Sequence, residues 1–142
     1  MKGSVLVFAA ESRVAVVRMT RHVSGLDAPS GEFDIIDVPC PDSSMGGRTR
    51  RMLELPMVQI ADDEAETMLK YREVALALGI PETDPLKTSP FLLVSALRSR
   101  IEVSRFAKSS SRAKHRIFAV ADLALDVTDE ELGRVIVTGL AS

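Results

Sequence analysis

SPFLLVSALRSRIEVSRFAKSSSRAKHR, residues 89–116, is the stretch on which the fold reading turns. Ser89 is a good N-cap, and Pro90 falls at the first helical position, where its missing N–H costs nothing. The pattern predicts a helix from Pro90 to about Lys108. On a helical wheel Leu93, Leu97 and Ile101, with Ala96, Val103 and Ala107, form one broad apolar arc. Arg98, Glu102 and Arg105 fall opposite it, at i, i+4 and i+7, so both arginines are expected on one solvent face. Ser109, Ser110 and Ser111 break the period, and Arg112, Lys114 and Arg116 carry the positive charge onward.

That charge is segregated from the rest of the chain. The whole sequence has a net charge of −2, yet residues 87–118 hold eight basic residues and one acid, a local +7. Residues 1–86 hold nine basic and fourteen acidic residues (−5), and residues 119–142 one and five (−4). A segment of this kind is suited to meet an anion, because guanidinium groups donate paired hydrogen bonds to phosphate or carboxylate. The anion could be a nucleic-acid backbone, an acidic protein surface, or the chain's own acidic segments. A second basic site is expected in the loop 39–50, where Gly46 and Gly47 precede Arg48, Arg50 and Arg51. It lacks the GxxxxGK[ST] pattern of a phosphate-binding loop and its strand-to-helix context.

Outward from this stretch, Val5–Ala10 and Arg13–Val23 are rich in β-branched residues and apolar on both faces, which predicts a central hairpin turning at Glu11 and Ser12. Ser24–Gly31 reads as a turn, and Phe33–Val38 as a third strand ended by Pro39 and Pro41. Met52–Ile60 reads as a fourth strand that Pro56 confines to an edge or a bulge. A helix capped by Asp62 or Asp63 follows, with Ala65, Met68, Leu69, Arg72, Ala75 and Leu76 at helical spacing and Gly79 and Pro81 at its end. Ile117–Ala121 reads as a strand extending weakly toward Val127. Thr128 with Glu131 forms a capping box for a last helix through Leu132, Val135, Ile136 and Leu140. Strands followed by helices imply an α+β fold: an antiparallel sheet of about five strands, with three helices packed mainly on one face.

Residues 1–142 are expected to form a single domain, since a chain of this length buries roughly 68% of its unfolded surface. With 46% hydrophobic and 27% charged residues, the composition is that of an ordinary globular protein. Cys40 is the only cysteine, which excludes an intramolecular disulfide and a cysteine-based metal cluster and fits a reducing compartment. The apolar run after Lys2 is too short for a secretory or spanning segment, so a cytoplasmic location is expected, with no membrane partner. The excess of arginine, thirteen against five lysines, often accompanies GC-rich bacterial or phage genomes.

No constellation points to catalysis. Cys40, His22 and His115 carry no surrounding motif, and two histidines at this spacing make no metal site. The acids at 62–64 and 129–131 are explained by helix N-termini. Of the aromatic residues, Phe106 lies off the apolar arc and is the one candidate for base stacking. These readings converge on a non-enzymatic accessory or assembly protein with no metal and no small-molecule cofactor. Arg98, Arg105, Lys108, Arg112, Lys114 and Arg116 would contact an RNA or DNA backbone, with Arg48, Arg50 and Arg51 as a secondary clamp. A protein partner or self-association is expected as well. The competing readings are a protein-only adaptor or structural subunit of a multimer, such as a phage particle component, and more remotely a small thiol-dependent enzyme.

Overall fold

The computed structural model describes residues 3–25, 27–55, 59–60, 63–80, 90–108 and 115–141, with backbone alone at Ile60, Lys108, His115 and Arg116. Strands β1 (Ser4–Ala9) and β2 (Arg13–His22) form the expected hairpin, with Val5 opposite Arg18 and Ala9 opposite Val14. Both lie inside the sheet, as their two apolar faces require. Strand β3 (Asp27–Asp37) starts well before Phe33, so Ala28, Pro29, Ser30 and Gly31 are strand and not turn. It forms an edge of the sheet, where Pro29 is tolerated, and its pairing with β2 shifts register between Val17 and Met19.

Residues 39–50 are not a loop. Helix α1 spans Asp42–Glu54, taking up both glycines and the first half of the expected fourth strand. Of that strand β4 (Gln59–Ile60) is the part found among the described residues, paired parallel to Arg21 and His22 of β2. Because β3 occupies one side of β2 as far as Arg21, β4 lies on the other, in the lane of β1.

Helix α2 (Glu64–Leu78) lies where its caps place it. The Asp63 carboxylate accepts from the Glu66 N–H at 3.0 Å, and Gly79 closes the helix in the left-handed region at φ 72°. Its buried face is Tyr71, Val74, Ala75 and Leu78. Of the stripe chosen by spacing only Ala75 is buried; Ala65, Met68, Leu69, Arg72 and Leu76 are exposed.

The predicted helix over 90–108 is two strands. Strands β5 (Phe91–Ala96) and β6 (Arg100–Lys108) pair antiparallel through a tight turn at Arg98 and Ser99, with the Leu97 N–H donating to the Arg100 carbonyl at 2.8 Å. The physical reason lies in Arg100–Arg105, where Ile101 and Val103 are buried and alternate with Arg100, Glu102 and Ser104. A period of two places apolar residues on one face of a strand and cannot do so on a helix. Strand β7 (His115–Ala124) pairs with β6 and carries one extra residue, Val120, because Val103 faces Ala121 while Ser104 faces Ala119.

The order across the sheet is β3-β2-β1-β5-β6-β7, antiparallel apart from the short β4 pairing, with three helices among the described residues: an α+β fold. Helix α3 (Asp129–Ala141) begins as the capping box indicates, the Thr128 hydroxyl accepting from the Glu131 N–H at 3.1 Å. Helices α1 and α3 cover one face, where Met45, Leu53, Leu132 and Ile136 meet Val5, Val7, Val16, Leu92, Ile101 and Val103. Helix α2 packs on the other face, its Tyr71, Val74 and Leu78 meeting Leu6, Phe8, Ala15, Val17 and Phe91. The two helices on the first face touch where each has a glycine. A Cβ on Gly46 would lie 1.7 Å from the Asp129 carbonyl oxygen, and one on Gly133 1.7 Å from that of Asp42.

Candidate functional site

The cations expected to share one helix face are separated by the β5–β6 hairpin. Arg98 is exposed in the turn, at the opposite end of β6 from Lys108. A strand rises ~3.4 Å per residue, so the eight steps from Arg100 to Lys108 alone span roughly 27 Å. Arg105 opposes Leu92 and Phe118 on the face that carries α3. It is half-buried, its guanidinium carbon lies 5.6 Å from the Phe118 ring centroid, and its buried Nε has no hydrogen-bond partner among the described residues. Arg116 enters β7 and Lys108 ends β6, but their side chains lie outside the described residues, as do Arg112 and Lys114 entirely. Arg100 pairs with Glu102 at 3.3 Å and with Asp122 at 3.5 Å, an exposed cluster of small energetic worth.

The second basic site is largely neutralised within the chain. Arg48 makes a paired contact with Asp34, at 2.6 and 2.7 Å, and donates to the Ile35 carbonyl at 3.1 Å. The hydrogen bond to Asp34 raises the Arg48 pKa above its ordinary value, with burial acting against it. Arg50 spans from α1 to the entry of α3, contacting Asp129 at 2.7 Å, the Leu125 carbonyl at 3.1 Å and the Val127 carbonyl. Both are structural cross-links. Arg50→Ala is expected to cost about 1.5–3 kcal/mol, the worth of hydrogen bonds to a charged group, read as a lowered midpoint in urea unfolding. Arg51 is exposed and has no ion pair among the described residues.

Across the sheet from α1 and α3, coverage is uneven. Helix α2 packs on β3 and β2 and reaches Phe91 of β5, and on this face no helix among the described residues packs on β6 and β7. One register line runs from beneath α2 out to β7: Ala15 opposes Phe8, Phe8 opposes Phe91, Phe91 opposes Phe106, and Phe106 opposes Ile117. The rings stack along it, Phe8 to Phe91 at 5.3 Å and Phe91 to Phe106 at 5.0 Å with planes 8° apart. Phe106 is therefore engaged in packing. Phe8 and Phe91 are buried, Phe106 and Leu93 are half-buried, and Ile117 at the outer edge is 67% exposed. Four strand positions toward the other end the floor turns polar, with Ser4 bonded to Ser95 at 3.1 Å and Glu102 opposite Asp122.

Beside this floor stands α2. Its Lys70 faces the β3 edge, lying 3.8 Å from the position of a Cβ on Gly31. Met68 and Arg72 lie on the opposite flank, and Leu69 and Leu76 on the side of the helix turned away from its buried face. Met68, Leu69 and Leu76 are 47%, 54% and 72% exposed. Four of the exposed large apolar residues thus lie on the α2 side of the sheet. The sequence did signal them, as the i, i+3, i+4 stripe of α2 and the apolar Ile117, but spacing alone cannot distinguish a stripe that meets the chain's own core from one left open.

No family model matches the chain, and no curated protein does. Solved structures do share its fold. The protein of unknown function NMB0488 from Neisseria meningitidis superposes with a TM-score of 0.72 at 15% identity, over 99% of this chain and 94% of that one. A chain of the CdiA-CT/CdiI toxin and immunity complex from Yersinia pseudotuberculosis superposes with a TM-score of 0.66 at 12% identity, over 99% and 97%. At these identities the likeness is one of fold.

Other chemistry-bearing residues do not assemble. Cys40 is half-buried against the core just after β3, whose end pairs with the start of β2, whereas His22 ends β2 with its Nε2 3.4 Å from the Thr67 hydroxyl. The two lie at opposite ends of the strand. Among the described residues no group of three or more His, Cys, Asp and Glu could hold a metal ion, and no helix is long and apolar enough to cross a membrane. An apolar cleft of about 230 Å³ between α3 and the β1–β2 turn, lined by Val14, Val38, Met45, Val137 and Leu140, has no converging polar groups to orient a ligand.

Proposed function

We propose that the chain is a non-enzymatic protein-interaction subunit whose binding surface lies on the α2 side of the sheet, between α2 and the outer strand β7. One observation carries this reading: Met68, Leu69 and Leu76 of α2 and Ile117 of β7 are exposed large apolar side chains on the α2 side of the sheet, while the opposite face is covered by two helices. Exposed apolar surface of this kind is what protein interfaces bury. The scaffold shared with a chain of a toxin and immunity complex supports a role in a protein–protein pair. Contact with an RNA or DNA backbone draws less support from the geometry, since Arg48, Arg50 and Arg100 are engaged by the chain's own carboxylates and Arg105 packs on Phe118.

Two measurements test the choice. Fluorescence polarisation with generic RNA and DNA is expected to show no binding that Arg51→Glu with Arg98→Glu abolishes. If four cations met phosphates, log affinity would instead fall against log salt with a slope of about −3 to −4, and the polyanion reading would replace this one. A partner identified by cross-linking in the native cell and reconstituted from purified protein is expected to be lost on Ile117→Asp and retained on Val137→Asp, which lies across the sheet.

A further inference from the structure

We infer that the outer stripe of α2 seats an amphipathic helix of a partner protein, one that brings a carboxylate to Arg72. This rests on reading the α2 side as a protein-binding surface and names what the partner presents. Helix α2 carries two stripes. The inner one, Tyr71, Val74, Ala75 and Leu78, is buried. The outer one is Ala65, Met68, Leu69, Arg72 and Leu76, all exposed, with Met68, Leu69 and Leu76 at 47%, 54% and 72%. At about 100° per residue these five fall within roughly 100° of the circumference, the width of a stripe that ordinarily faces a core. A helix resting on a sheet needs only one such stripe.

Spacing and charge together select the occupant. Ala65, Leu69, Arg72 and Leu76 step by four, three and four residues, the alternation along which one helix packs on another. An extended segment laid there would leave its backbone N–H and C=O groups unpaired, because those of α2 are used within the helix; a helix brings its own pairing. At ~1.5 Å per residue the run from Ala65 to Leu76 is roughly 16 Å long, so about three turns of a partner helix cover it. Arg72 stands in the middle of this run and has no ion pair among the described residues. Glu66, on the other flank, is engaged by Lys70 at 3.5 Å. Apolar surface alone laid over Arg72 would strand its charge, so the helix that buries the stripe has to offer an acid opposite it. A second copy of α2 would instead add another Arg72 to the same seam, where like charges repel.

Fluorescence polarisation with two labelled synthetic helices tests this. Each is about three heptads long with leucine at the seam positions, and they differ in one central seam residue, glutamate or lysine. The intact protein is expected to bind the glutamate peptide at least about tenfold more tightly, the effect of one close charge pair at an interface. Arg72→Glu is expected to reverse the preference. Leu69→Asp, at an exposed position, is expected to remove binding of both peptides with unchanged circular dichroism, and Val137→Asp, across the sheet, to leave binding intact. No binding of either peptide at millimolar concentration, or a preference that Arg72→Glu leaves unchanged, overturns the inference. So does a dimer in sedimentation equilibrium that Leu69→Asp splits, which would put a second copy on the stripe. If the peptides fail while the partner found by cross-linking is still lost on Ile117→Asp, only the helix is wrong and the protein-binding reading stands.

Discussion

Gly133→Ala is expected to destabilise the protein by at least about 3 kcal/mol, beyond the usual range for one added methyl group in a core. The new Cβ would be built 1.7 Å from the Asp42 carbonyl oxygen and 2.9 Å from the Gly46 backbone nitrogen, both main-chain atoms of α1 that cannot swing aside as a side chain does. The two helices must separate, and their shared contacts with Val5, Val16, Leu92 and Ile101 loosen with them. Gly46→Ala meets the Asp129 carbonyl at the same distance and should cost as much. Against a total stability of about 5–15 kcal/mol the loss is large, and the thermal midpoint should fall by roughly 10 °C. Gly25→Ala supplies the comparison: its added carbon would meet nothing within 4 Å, so only the backbone cost of its positive φ applies. A Gly133→Ala protein that melts within a degree or two of the parent would show that the helices do not cross as closely as described.

Phe8→Ala is the second large effect, expected at about 3–5 kcal/mol by chemical denaturation. Phe8 is fully buried on the α2 side and supports Phe91, which in turn stacks on Phe106. Its removal leaves a cavity beneath α2 that the flanking strands cannot close, because their register is held by β2 on one side and β5 on the other. Ile117→Ala, at the exposed end of the same line, should change stability by no more than about 0.5 kcal/mol. The contrast separates the two roles: the inner aromatic holds the floor together, whereas the outer aliphatic is available to a partner. A similar cost at both positions would mean that Ile117 is covered in solution.

Most of the fold could be read where local chemistry acts alone. The β1–β2 hairpin, the Asp63 and Gly79 caps of α2 and the Thr128 cap of α3 each depend on residues within a few positions of one another, and all were legible. Residues 90–108 were not, since Leu93, Leu97 and Ile101 match a helical spacing while Ile101 and Val103 against Arg100, Glu102 and Ser104 match a strand. The tertiary context settled it: β1 needed a partner on its open side, and β5 supplied one. The turn at Arg98 and Ser99 has none of the glycine, asparagine or proline that marks a hairpin. Helix α1 was hidden for the opposite reason. Gly46 and Gly47 each cost a helix about 0.8–1 kcal/mol, so they read as a loop, and only the arrival of Gly133 from a distant helix explains why they are there. The site suffered from both errors, because a strand in place of a helix parts Arg98 from Arg105, and a helix in place of a loop turns Arg48 and Arg50 inward to Asp34 and Asp129.

The extra residue at Val120 also bears on how the molecule behaves in concentrated solution. An outermost strand with regular pleating is a template onto which further chains can polymerise laterally, and a bulge interrupts that template by adding twist and breaking the alternation of faces. The opposite border is blunted by Pro29 and by the register slip facing it. Fibril-like growth is thus discouraged along both flanks, which leaves stacking through the broad surfaces as the route by which copies can meet.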